Sequence, residues 1–112
     1  MLFPHTVYVY PSTARTDGDG NTVRWADLDR EPVPVPAFVQ PRASTETDAG
    51  PGQRAAVEQT AYLSRFAPPL DPWCAIEYDG VVYEIDGWPS EHKALTGELR
   101  YSKVVMRASD RG

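Results

Sequence analysis

Apolar and polar positions alternate over short runs separated by proline and glycine, a two-residue period that belongs to strands. His5-Thr6-Val7-Tyr8-Val9-Tyr10 is β-branched and aromatic, ends at Pro11, and predicts a first strand. Asp17-Gly18-Asp19-Gly20-Asn21 reads as a tight turn or exposed loop leading into a short extended piece, Thr22-Val23-Arg24-Trp25. Pro32-Val33-Pro34-Val35-Pro36-Ala37-Phe38-Val39-Gln40 is extended by necessity, because a residue before proline avoids the helical region. Its alternate prolines point their missing amides to one side. The first part is therefore expected at a sheet edge or outside the ladder, with Ala37 to Gln40 pairing normally.

The C-terminal half is clearer. Trp73 to Tyr78, then Asp79-Gly80, then Val81 to Asp86 predicts a β-hairpin with a two-residue turn. Trp73, Ile76, Tyr78, Asp79, Gly80, Val82, Tyr83 and Ile85 are its expected structural core. Gly87-Trp88-Pro89 breaks the second arm, a polar stretch runs from Ser90 to Gly97, and Glu98 to Arg107 predicts the last strand. Arg54 to Phe66 fits two patterns. Ala56, Thr60 and Leu63 would share a helical face, whereas Val57, Gln59, Ala61 and Leu63 alternate as in a strand.

Between the Pro32–Gln40 run and the Arg54–Phe66 segment lies a long polar stretch without a large apolar residue. It comprises Arg42, Ala43, Ser44, Thr45, Glu46, Thr47, Asp48, Ala49, Gly50, Pro51, Gly52 and Gln53, following Pro41. A loop of this length inside a small domain is uncommon unless it has a function or is disordered. Residues 41–53 are expected to be a mobile excursion and not a domain linker.

The 11 prolines leave almost no window long enough for a clean helix. With 112 residues there is room for one core, so the expectation is a single all-β domain over residues 1–112. Its form would be a small five- to six-stranded barrel or sandwich with a long internal loop. No stretch approaches the ~20 apolar residues of a membrane helix. Met1-Leu2-Phe3-Pro4-His5 lacks the positive start and apolar core of a signal peptide, so export by that route is not expected. The single cysteine, Cys74, sits in an apolar run and reads as a small buried hydrophobe in a reducing cytosol.

Chemistry-bearing constellations are sparse. His5 and His92 are far apart and neither has a neighbouring cysteine or second histidine, so the spacing supplies no zinc site. The acids from Asp17 onward resemble a calcium loop but carry Thr22 where the sharp turn needs glycine and Leu28 where a bidentate glutamate belongs. Gly18 and Gly20 lack the lysine of a phosphate loop. Glu84 and Asp86 lie two apart on one strand face, a spacing that acid–base chemistry would allow but that reads first as a solvated acidic edge. No catalytic, cofactor-binding or metal-ligating residue is assigned, and no enzyme is expected.

Charge is more telling. The chain carries 16 acidic against 11 basic residues, a net charge of −5, which argues against a protein that grips nucleic acid. Asp71, Glu77, Asp79, Glu84, Asp86 and Glu91 follow one another with no lysine or arginine between them, whereas Lys93, Arg100, Lys103, Arg107 and Arg111 dominate the C-terminal stretch. Such a layout is ordinarily a solvated surface, but an acidic edge and a basic edge on one molecule also suit head-to-tail packing around a ring, with Glu84, Asp86, Arg100, Lys103 and Arg107 as candidate contacts.

The order of parts, and above all Ala67-Pro68-Pro69-Leu70-Asp71-Pro72 leading into Ile76-Glu77-Tyr78-Asp79-Gly80-Val81-Val82-Tyr83-Glu84-Ile85-Asp86-Gly87-Trp88-Pro89, resembles the head-to-tail stopper, or head-completion, proteins of long-tailed phages, especially those of actinobacterial hosts. The sequence departs from the shorter members in its Arg30–Pro36 proline run. The resemblance implies a small β-barrel, and so tips Arg54 to Phe66 toward strand. It implies a ring, typically a hexamer, in the virion neck, with the portal and adaptor above and a tail terminator or tail tube below. Assembly would take place in the host cytoplasm. The ring would seal the DNA exit, touch the genome only transiently and without sequence preference, avoid membranes, and present the tail-docking surface. By position, Arg42 to Gln53 corresponds to the family's channel plug. Two alternatives stay open: another neck or tail component such as a tail terminator, and a small β-barrel that binds a peptide along its edge.

Overall fold

The computed structural model describes residues 2–41 and 56–109, and among them every regular element is a strand. In chain order these are β1 (His5–Tyr10), β2 (Ser12–Thr16), β3 (Thr22–Ala26), β4 (Val33–Pro41), β5 (Ala56–Ser64), β6 (Ala75–Tyr78), β7 (Val81–Ile85), β8 (Ser90–Lys93) and β9 (Leu99–Ser109). The order β5-β4-β1-β6-β7-β9 closes on itself through β5–β9 pairing, giving a six-stranded barrel, and β8 adds to the free part of β9. Strands β2 and β3 form a separate two-stranded ribbon. All pairings in the barrel are antiparallel.

Alternation fills the barrel. Val7 and Val9 on β1, Val35, Ala37 and Val39 on β4, Ala61 and Leu63 on β5, Ile76 on β6, Tyr83 and Ile85 on β7, and Val104 and Met106 on β9 are buried. Each alternates with outward neighbours, as a pleated strand requires. Full burial of side chains such as Leu63, Ile76 or Met106 is worth about 1.5–3 kcal/mol apiece. Tyr83 reaches across this interior, where its hydroxyl accepts a hydrogen bond from Gln59 Nε2 at 2.9 Å. Among the described residues no buried side-chain nitrogen or oxygen lacks a partner.

Within Arg54 to Phe66 the two-way reading resolves as strand over Ala56–Ser64, because β5 bonds β4 on one side and β9 on the other. The proline run also falls into place. Val33 to Ala37 pairs with β1, while β5 pairs only from Ala37 onward. Val39 N–H points toward β1, where it meets His5. Alternation then sends the missing amides of Pro34 and Pro36 to the opposite edge, which β5 has not yet reached.

Two short strands, β2 and β8, lie where the sequence pattern predicts none. Ser12 to Thr16 is polar and lacks the alternation of a buried strand, but it pairs residue for residue with Thr22 to Ala26. Ser90 to Lys93 lies in the polar stretch, and all four of its residues are exposed. It pairs with β9 through a bulge between His92 and Lys93. Trp73 does not belong to the hairpin ladder: β6 begins at Ala75. Pro72 and Asp71 place Trp73 in a turn closed by Cys74 N–H to Asp71 O at 3.2 Å.

Candidate interaction surfaces

The antiparallel registers give the barrel two distinct ends. At one, β4 ends at Pro41 and β5 starts at Ala56, close in register (Pro41 opposite Gln59), with Ser109 opposite Ala56. The Asp79–Gly80 turn lies toward the same end, between Tyr78 and Val81. Both turn residues have positive φ, 53° and 80°, as a type I′ hairpin demands. The expected plug, Arg42 to Gln53, springs from this end, but itself lies outside the described residues.

The β2–β3 ribbon leaves from the opposite end. Asp17 shapes its tip: one carboxylate oxygen accepts both Asp19 N–H and Asn21 N–H at 2.9 Å, and Gly20 takes φ +86°. Those acids therefore act as turn formers. The ribbon's root is pinned by Asp71, whose Oδ2 accepts the Ser12 hydroxyl at 2.6 Å and whose Oδ1 accepts Trp73 N–H at 2.8 Å and the Cys74 thiol at 3.5 Å. Burial pushes the Asp71 carboxyl up. The three hydrogen bonds and the nearby Arg24 charge outweigh it and hold the group below the usual aspartate range. Arg24 also lies over the Trp73 ring at 5.7 Å, and Trp73 meets Trp88 edge to face at 6.0 Å. Cys74 is buried, and that burial pushes its thiol up, away from reactivity.

The structure separates the five charged candidates. Arg107 stands opposite Glu58 on β5 and opposite Glu84 on β7, and forms an ion pair with Glu58 at 3.2 Å. Both carboxylates flank it within the same sheet. Asp86 follows β7, its N–H bonded to Val105 O at 2.8 Å. Lys103 is exposed on β9, opposite Tyr62 and Ser90. Arg100 lines an open, mainly apolar cavity of about 660 Å³ with Leu2, Phe3, Phe66 and Leu99, beside the Arg65–Glu98 ion pair of 2.9 Å. Of the hairpin residues, Ile76, Tyr83 and Ile85 are core, Tyr78 packs against it, and Val82 faces outward.

One feature escaped the sequence pattern. Six rings from six strands run in contact across the sheet: Tyr78, His5, Phe38, Tyr62, Tyr101 and His92, at centroid distances of 5.5, 6.1, 6.1, 5.7 and 4.5 Å. The rings are scattered along the chain, and only the strand registers bring them side by side.

A family model described as phage head completion protein matches residues 2–105. No curated protein matches the chain. The β-barrel with its Asp79–Gly80 hairpin is the structure of the described part of that matched region. The chain belongs to the phage head completion proteins, and so is a structural component of the bacteriophage virion that works with other head and tail parts in closing the head.

Proposed function

We propose that the protein forms a ring in the phage neck, between portal and adaptor above and tail below. The ring closes the DNA exit after packaging and offers the surface on which the tail docks. Family membership supports head closure. The observation that carries the finer reading is the asymmetry of the barrel. The β4–β5 excursion is rooted at one end, beside the hairpin turn, and the tryptophan-bearing ribbon at the other. A part that gates a channel and also bonds its neighbours needs two such separate surfaces.

The chemistry of the excursion fits a plug. Residues 42–53 carry no large apolar side chain, have Gly50-Pro51-Gly52 near the return point, and hold the acids Glu46 and Asp48, which repel phosphates and discourage DNA from sticking. Because Pro41 and Gln59 are register partners, a short turn can replace the excursion without disturbing the barrel. Particles assembled with residues 42–53 replaced by Gly-Gly should retain the protein by mass spectrometry, yet lose packaged DNA before tails join, measured as nuclease-sensitive DNA. Heads that keep their DNA as well as wild type would remove the plug assignment.

A further inference from the structure

The ribbon of β2 and β3 has almost no core of its own, and a two-stranded hairpin alone is at best marginally stable. Its inner face is accounted for. Ser12 bonds Asp71 and Arg24 covers Trp73, so residues 12, 14, 24 and 26 face the barrel. By alternation Thr13, Arg15, Val23 and Trp25 face away, in the directly opposed pairs Thr13–Trp25 and Arg15–Val23. Val23 is 52% exposed and Trp25 43% exposed. This outer face is a compact apolar strip with one cation, the composition of a binding hot spot.

The barrel carries a surface of matching character. Pro34, Tyr8, Glu77 and Val82 are successive register partners across β4, β1, β6 and β7. Each alternates with a buried residue (Val35, Val7, Ile76, Tyr83), so the row faces outward. Tyr8 is 42% and Val82 45% exposed. The four strands contain no lysine or arginine, and their acids are Glu77 and Glu84, whereas β2 and β3 contain only Arg15 and Arg24 and no acid.

We propose that the outer face of the ribbon of one copy seats on the Pro34–Tyr8–Glu77–Val82 row of the next, Trp25 and Val23 covering Tyr8 and Val82 while Arg15 meets the Glu77 carboxylate. Two different patches of one chain make a heterologous contact, the kind that closes into a ring by rotation. Charge fixes the order of the two patches, since neither meets its own kind without repulsion. The inference rests on the ring reading above and names the contact that builds the ring.

The test uses full-length protein in assembled particles. Val23→Cys combined with Val82→Cys should give, on oxidation, a reducible ladder of multimers on gels, which Val23→Cys alone should not; Cys74 is buried and stays silent. Arg15→Glu and Glu77→Arg should each cut incorporation about tenfold or more, and the double swap should restore most of it. That rescue separates a lost contact from a lost fold. Particles that hold the protein as a ring but give no ladder and no rescue would overturn this contact and leave the ring standing. Particles in which the protein is monomeric or missing would overturn both.

Discussion

His5 Nδ1 accepts the amide hydrogen of Val39 at 3.0 Å. The β1–β4 ladder ends at His5 opposite Ala37, so Val39 has no backbone partner on that side, and the imidazole supplies one. The same ring stacks on Phe38 and meets Tyr78 edge to face. His5→Phe retains an aromatic ring but removes the acceptor, leaving the amide of a buried residue unpaired. It should lower stability by about 1–3 kcal/mol, read as a lower urea midpoint at unchanged slope. His5→Ala, which also loses the ring contacts, should cost more than His5→Phe.

The Asp79–Gly80 turn gives a sharper prediction, because its demand is purely conformational. Gly80 has φ +80° with open space around the position of an added Cβ, so Gly80→Ala meets no clash and pays only for the left-handed backbone. A loss of about 1–2 kcal/mol is expected. Asp79, at φ 53°, should tolerate Asn with little change, while Val, being β-branched, should destabilise more than Gly80→Ala does. Thermal unfolding of the three variants orders them.

What the sequence could show followed from how local the signal was. The hairpin was legible because Asp-Gly between two β-branched runs specifies its own register. The first strand was legible from alternation, and the prolines of β4 from their missing donors. Strands β2 and β8 were not, because they bury almost nothing and their pairing is set by the partner strand. Arg54 to Phe66 needed the resemblance, since only non-local neighbours decide between its two periods. The interaction surfaces were the least legible. Asp71 and Ser12 are 59 positions apart, and the outward row runs through Pro34, Tyr8, Glu77 and Val82, so neither is visible before the strands are ordered.

Tyr10 donates its hydroxyl hydrogen to Glu77 Oε1 at 3.0 Å. That hydrogen bond, then burial, then the Glu77 charge raise the phenol above its usual value. For an acid raised on folding, the contribution to stability is present below the unfolded value, about 10, and is lost as pH rises through the folded one. Tyr10→Phe should therefore flatten the loss of stability on the alkaline side and leave the acid side unchanged. The phenolate absorbance of the wild type should gain a late-titrating component that Tyr10→Phe lacks.

Asp71 makes the opposite case and ties the ribbon to the barrel. Its folded carboxyl lies below the ordinary aspartate value because the hydrogen bonds from Ser12, Trp73 and Cys74, with Arg24, outweigh the opposing effect of burial. The contribution of a depressed carboxylate is fully present above the unfolded value, about 3.9, and disappears as pH falls through the folded one. Asp71→Asn keeps the shape but not the charge, so its stability should fall less steeply than wild type below about pH 4. Ser12→Ala removes one donor and should move the Asp71 carboxyl back toward the ordinary value, a change that NMR titration of its side-chain carbon reads directly. If the proposed contact between copies holds, both variants should also weaken incorporation into particles, because a ribbon loosened at Ser12 no longer presents Trp25 and Arg15 at a fixed angle. Normal incorporation of Ser12→Ala, with the carboxyl shifted as expected, would show that the pin orders the ribbon root without setting the outer face.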